Sequence, residues 1–326
     1  MRTTGLVVLF NHNYEGNIPL IKEYYKKRFP VLRILMPFYY GDDEEVIGVY
    51  GHSFVFQTYI AQAREKLMQM PCDDFLIIGD DLILNPDIHA ENVHSFMGID
   101  EGAFYIDGVA DIAAGEFWRP LREARLFRPL FTGLDPSANR ILPSKEDAFN
   151  ILKSKGVISS LRLYRWKPFM RPFKKGLVKN FRANLRAFMS RCYHLMQMVR
   201  HRVFPVTMPY PCVFGYSDII MIPREHMVEY CRYLEVFATW RMFVEMAIPT
   251  AMMLMTKAKV CFAGKSGYKL GNVWCPQDAK HYKETNAVID GVMAKVKNVE
   301  ELSSYFPRDY MYLHPVKLSG LHKRKD

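Results

Sequence analysis

Asp74-Phe75-Leu76-Ile77-Ile78-Gly79-Asp80-Asp81-Leu82-Ile83-Leu84-Asn85-Pro86 is the stretch on which the fold turns. Four consecutive apolar residues bounded by Gly and Asp read as a short strand buried on both faces, the kind found in parallel sheets covered by helices. Open α/β sheets bind their ligands beyond the carboxyl ends of the strands. The apolar run therefore delivers Asp80 and Asp81 to that edge, and Leu82 to Leu84 anchors the far side. Two adjacent carboxylates there repel each other unless a cation is present. A divalent metal, Mn²⁺ or Mg²⁺, bridging the diphosphate of a nucleotide resolves the repulsion.

Outward from this stretch, the first hundred residues alternate as a parallel sheet requires. Leu6 to Phe10 reads as a strand, Asn17 to Phe29 as an amphipathic helix, Val31 to Met36 and Val46 to Tyr50 as strands, and Phe54 to Met70 as a helix. Further on, Ile88 to Met97 reads as a helix, Ala103 to Ile106 as a strand and Glu116 to Pro136 as a loop-rich region. Ser144-Lys145-Glu146-Asp147 has the form of a capping box. His226 to Phe237 and Trp240 to Met255 read as helices, Lys259 to Ala263 as a last strand, and the residues from Gln277 onward as a polar tail. The organisation expected is a nucleotide-binding half over 1–110, a connection over 111–150, a basic helical insertion over 151–207 and an acceptor-side half over 208–326.

The acidic stretch resembles the DxD region of GT-A-fold glycosyltransferases, in which apolar residues flank a short acidic motif. Gly79 stands where the first acid of that motif usually lies. The resemblance implies a GT-A-like (Rossmann-like) mixed, mostly parallel sheet flanked by helices. It implies a nucleotide-diphosphate sugar as donor, with Asp81 as metal ligand and Asp80 near the ribose or a metal-bound water. It also implies that the loop Asn11-His12-Asn13-Tyr14 touches base and ribose, so Asn11, Asn13 and Tyr14 are nucleotide candidates. Several GT-A families supply a late histidine as a metal ligand and a nearby lysine to the diphosphate, which points to His314 and Lys317.

Other candidates come from the residues themselves. Glu245, in Phe243-Val244-Glu245-Met246-Ala247, is an acid in apolar surroundings, where a raised pKa suits a general base for an acceptor hydroxyl. Asp218, in a loop before the strand Ile219 to Ile222, is its rival as the catalytic or sugar-binding acid. Gln57 and Gln62 lie on the helix before the acidic strand and are candidates for the same pocket.

The formal net charge of +10 is concentrated: fourteen Lys and Arg, and no acid, lie between Asp147 and Asp218. Within that gap Phe181, Leu185, Phe188, Cys192, Leu195 and Val199 recur at helical spacing, flanked by Arg182, Arg186 and Arg191. A basic amphipathic helix over 160–204 suits an anionic membrane surface. An anionic acceptor, nucleic acid (the least favoured) and docking of the stripe on the protein's own body are the other readings.

At 49% hydrophobic and 24% charged residues, the 326-residue chain has the balance of an ordinary soluble domain, which excludes global disorder. The run Gly5 to Phe10 is too short for a signal core. The richest apolar segment, Phe243 to Met255, carries Glu245 and Pro249 and does not span a membrane. Six cysteines without a CxxC pair read as free thiols of a reducing cytoplasm. Together these lead to the expectation of a metal-dependent glycosyltransferase at the cytoplasmic face of a membrane, acting on a glycan or glycolipid acceptor in bacterial lipopolysaccharide, O-antigen or capsule assembly. The rivals are a sugar-phosphate nucleotidyltransferase, disfavoured because Asn11 to Gly16 lacks the Gly-rich, Arg-containing loop of that class, and a non-enzymatic membrane- or nucleic-acid-binding protein.

Overall fold

The continuous apolar runs become strands with both faces covered. In a computed structural model, residues 2–112, 138–161, 175–176, 178, 180–203, 208, 210–273 and 279–322 are described. The loop-rich region expected from Glu116 to Pro136, the basic positions 162–174, Cys275 and residues 323–326 lie outside them. The strands are β1 (Thr4–Leu9), β2 (Leu32–Pro37), β3 (Val46–Val49), β4 (Asp74–Gly79), β5 (Ile83–Leu84), β6 (Phe104–Ile106) and β7 (Ala110–Asp111) in the first part of the chain. After an interval whose described elements are helices follow β8 (Val213–Phe214), β9 (Ile219–Pro223), β10 (Val260–Phe262), β11 (Lys269–Asn272) and β12 (Tyr310–His314).

Seven of these strands form one sheet in the order β10-β6-β9-β4-β1-β2-β3. Every pairing is parallel except those of β9, which runs antiparallel to β4 and β6. The expected α/β architecture, a mixed and mostly parallel sheet flanked by helices, is thus present. Its strands come from both halves of the chain, so residues 1–110 and 208–326 share one sheet. From β1 the chain builds β2 and β3 on one side and then crosses to place β4 on the other. Open α/β sheets hold their ligands at such a reversal, here beyond the carboxyl ends of β1 and β4.

Alternation along the central strands supplies two cores. Val7, Leu9, Phe75 and Ile77 face the helices Phe56–Leu67, Arg224–Thr239 and Val244–Leu254. Leu6, Val8, Phe10, Leu76 and Ile78 face the helix Asn17–Tyr25 and the C-terminal elements. Burial of both strand faces explains why these strands read as unbroken apolar runs rather than as alternating ones.

Several boundaries differ from expectation for local reasons. The helix expected over Ile88 to Met97 is confined to Val93–Met97 and closed by Gly98 in the left-handed region (φ 69). Arg241 also takes a left-handed conformation (φ 53), separating the helix ending at Thr239 from the one beginning at Val244. The strand at Val260 to Phe262 is not the last, and the residues after Gln277 are not a mere tail. They carry the helices Ala279–Lys295 and Val299–Tyr305 and then β12, which with β11 and β5 forms a second, three-stranded sheet. The polar composition of that region hid an amphipathic helix whose Ile289 and Val292 enter the core. Ser144 does cap its helix, accepting from the Asp147 backbone N–H at 3.1 Å. The described cysteines are free thiols, and among the described residues no helix is long and apolar enough to cross a membrane.

Candidate functional site

Register brings the candidate residues to one edge of the sheet. β1 and β4 run in parallel with Leu9 beside Gly79, so Phe10-Asn11 and Asp80 leave the sheet together. The Asp80 N–H donates to the Leu9 carbonyl at 2.8 Å. In return, the backbone N–H and side-chain amide of Asn11 donate to Asp80 Oδ1 at 3.1 and 3.2 Å. β9 runs the opposite way, with Ile219 beside Ile78, so the residue preceding β9 arrives where β4 ends. That residue is Asp218, whose carbonyl accepts from the Gly79 N–H at 3.0 Å.

The second sheet supplies the distant partner. Leu313 of β12 pairs with Ile83 of β5, directly after the acidic pair, and the Val316 N–H donates to the Asp81 carbonyl at 2.7 Å. His314 Nε2 consequently stands 3.0 Å from Asp81 Oδ1, across 233 residues of sequence. Its other ring nitrogen, Nδ1, meets the Tyr216 hydroxyl at 2.7 Å, which fixes the ring from behind. Tyr216 also stacks against Tyr312, with ring centroids 6.4 Å apart.

Two carboxylates meet over Gly79. A Cβ built there would lie 3.4 Å from Asp81 Oδ1 and 3.7 Å from Asp218 Oδ1, so the two carboxylates converge over a position that carries no side chain. One further acid, Asp107, belongs to the cluster. It follows β6, and its carboxylate accepts from the hydroxyls of Tyr312 and, at 2.9 Å, Tyr105. Asp107 was not among the sequence candidates, although Phe104-Tyr105-Ile106-Asp107-Gly108 repeats the pattern of an apolar strand ending in an acid.

The electrostatics follow from burial and crowding. Asp80 is 7% exposed; that burial and the neighbouring Asp81 charge push its carboxyl up to about 7, against the pull of the Asn11 N–H. Asp107 is pushed up to about 6 by burial and by Asp218, although the tyrosine hydroxyls oppose the rise. Asp218 is raised for the same first reason, burial. Burial would lower the His314 imidazole, but its hydrogen bond to Asp81 and the charges of Asp218, Asp81 and Asp80 more than offset this and raise it.

The other candidates fall in different places. Asn13 donates to the Phe38 carbonyl at 2.8 Å, and the half-exposed Tyr14 ring packs edge-on to His12. Phe38 holds a left-handed backbone (φ 54), a costly conformation for a residue with a bulky side chain, and its ring, 50% exposed, meets Tyr50. Glu245 is half-buried in the first turn of its helix, and its carbonyl accepts from the Gly215 N–H at 2.9 Å, against the loop that leads to Asp218. Lys317 is exposed, three residues past His314. Gln57 does not face the site: it is fully buried and donates to the Met242 carbonyl at 2.7 Å, joining two parts of the core. Gln62 instead closes the end of β3, exchanging two hydrogen bonds with the Tyr50 backbone.

The donor set fits a divalent ion as a pair rather than a cage. Two ligands at right angles in an octahedral shell of roughly 2.1 Å bonds stand about 3.0 Å apart, the separation found between Asp81 Oδ1 and His314 Nε2. Among the described residues no group of three His, Cys, Asp or Glu side chains could hold a metal on its own. An ion there would complete its shell with water and ligand oxygens, as Mg²⁺ and Mn²⁺ do with phosphates. No protein-family model matches the chain, and no curated protein matches it either.

Proposed function

We propose that the protein is a GT-A-type glycosyltransferase that moves a sugar from a nucleotide-diphosphate donor to the hydroxyl of a glycan or glycolipid acceptor. The observation that carries this reading is the Asp81–His314 pair at 3.0 Å beyond the carboxyl end of β4, where the strand order reverses. A divalent ion bound by that pair would neutralise charge on the departing diphosphate.

Each residue then has a defined task. Asp80, too buried to reach far, orients Asn11 and thereby the loop whose Tyr14, with Phe38 nearby, offers aromatic surface to the base. Tyr216, in contact with Nδ1, orients the His314 ring so that Nε2 faces Asp81. Asp218, beside Asp81 over Gly79, is placed to accept a hydrogen bond from the donor sugar. Glu245 lies on the acceptor side and serves as general base. The acceptor oxygen attacks the anomeric carbon, the bond from that carbon to the diphosphate oxygen breaks, and Glu245 takes the hydroxyl proton while the nucleoside diphosphate leaves.

A thermal-shift panel of nucleotide sugars with and without Mn²⁺, run on wild type and Asp81→Asn, tests this reading. The expected result is stabilisation by one class of nucleotide that requires Mn²⁺ and is lost in the variant. Absence of Mn²⁺-dependent stabilisation across the panel would overturn it. Glu245→Gln is expected to keep that binding and lose transfer, which separates the two halves of the mechanism.

A further inference from the structure

The helix Phe181–Val203 is turned inside out relative to an ordinary surface helix. A surface helix normally presents its apolar stripe to the core and its polar face to water. Here the most buried of the positions with known exposure are small or polar, Asn184 at 7% and Ala187 at 1% exposed. The stripe picked out by its spacing points outward. Phe181 is 62% exposed, Phe188 57%, Leu195 59% and Met196 64%, and Leu185, Cys192 and Val199 are exposed with them. Docking of that stripe on the protein's own body, one of the readings the sequence left open, is not what these residues do.

The flanks of the stripe say what would cover it. At about 100° per residue, the exposed Arg182 and Arg186 fall on one side of the apolar face and the half-buried Arg191 on the other. The whole interval from Asp147 to Asp218 contains no acid to offset them. An exposed apolar band edged by exposed arginines matches the boundary between headgroups and acyl chains, where the band enters the lipid and the guanidinium groups of Arg182 and Arg186 meet anionic headgroups. Duplex nucleic acid offers no surface for Leu, Met and Val, since it is held mainly through its phosphates. The helix is also too polar to cross a bilayer.

We propose that the helix Phe181–Val203 lies in the plane of an anionic lipid bilayer and holds the protein against it. This docking surface is independent of the proposed transfer chemistry.

The test uses the full chain, sedimented with vesicles of phosphatidylcholine alone or with a third phosphatidylglycerol, at low and high salt. Two double variants accompany wild type: Phe188→Ser with Leu195→Ser, and Arg182→Gln with Arg186→Gln. All four positions are exposed, and thermal melts check that each variant folds. Wild type is expected to sediment with the phosphatidylglycerol vesicles and to be released by salt. The arginine variant is expected to partition on the order of 30-fold more weakly, and the serine variant about a hundredfold more weakly. Three results would each overturn the proposal: no sedimentation with either vesicle, equal sedimentation of wild type and the serine variant, or a lipid-free dimer abolished by the serine variant without vesicle binding.

Discussion

Replacing Asp80 by Asn removes a charge from a place where the fold resists it while nearly preserving shape. The wild-type carboxyl rises from the ordinary 3.8 to about 7, because it is buried beside Asp81. Between those values the native state binds more protons than the unfolded chain, so stability falls as pH rises through that window. By pH 8 the accumulated penalty is about 4 kcal/mol at roughly 1.4 kcal/mol per pH unit. The rise to about 7 already includes the opposing pull of the Asn11 N–H, from which the amide oxygen of the variant would still accept. The net expectation at pH 8 is therefore a variant more stable by about 4 kcal/mol. A protein of this length unfolds with an entropy near 2.1 cal/mol/K per residue, so the gain appears as a Tm increase of about 6 °C. At pH 5 the native carboxyl is protonated while the unfolded one is already ionised, so the gain should shrink to about 1.5 kcal/mol, and it should vanish only below about pH 4. Melting both proteins by circular dichroism at the two pH values, with chelator and then with Mn²⁺, is sufficient. Mn²⁺ should raise the wild type more than the variant at pH 8, because Asp81 and His314 are present in both but only in the wild type does the cation also relieve the repulsion between Asp80 and Asp81. An Asp80→Asn protein less stable than wild type at pH 8, or a gain equally large at pH 5, would refute the reasoning.

Three further outcomes follow from other contacts. His314→Gln should weaken Mn²⁺-dependent binding of a nucleoside diphosphate at least about tenfold by calorimetry. Metal-independent binding should change little. Gly215→Ala should cost roughly 2–3 kcal/mol in urea denaturation, since a Cβ at that position lies 2.6 Å from the Gly108 carbonyl oxygen. Asp74 is fully buried at the opposite edge of the sheet; burial raises its carboxyl, but hydrogen bonds from His94 and Arg2 more than offset this and hold it below the ordinary range. Its stabilisation is therefore complete above about pH 4 and lost as pH falls through the lowered value. Asp74→Asn should cost about 2–3 kcal/mol near pH 7, and the urea midpoints of variant and wild type should converge in strong acid.

What could be read from the residues was whatever depends on short range. Phe75 to Gly79 is unbroken and apolar because both its faces are covered, so the strand and the acids at its end were legible together. Ser144 announced its helix by a contact three residues long. What depends on register was not legible. Nothing within residues 310–314 says that they pair with Ile83 and Leu84, so the meeting of His314 with Asp81 rested on resemblance until β12 was placed. Gln57 shows the same limit on a helix: periodicity says which residues share a face, but not which neighbour that face meets. The inverted helix at 181–203 is the larger example, its spacing legible and its direction not. Asp107 was missed although its strand was read, because a single acid after a strand lacks the adjacent partner whose repulsion singled out Asp80 and Asp81.

The pairing of β12 with β5 also sets a schedule for synthesis. All seven strands of the main sheet have left the ribosome once Phe262 has emerged, but elements that cover one of its faces, the helix Ala279–Lys295 and β12 among them, follow later. His314 comes more than fifty residues after Phe262 and is needed beside Asp81. Under the proposed function, the last elements to be made therefore complete the core and the chemistry together, and a nascent chain that holds every strand of the main sheet still lacks both.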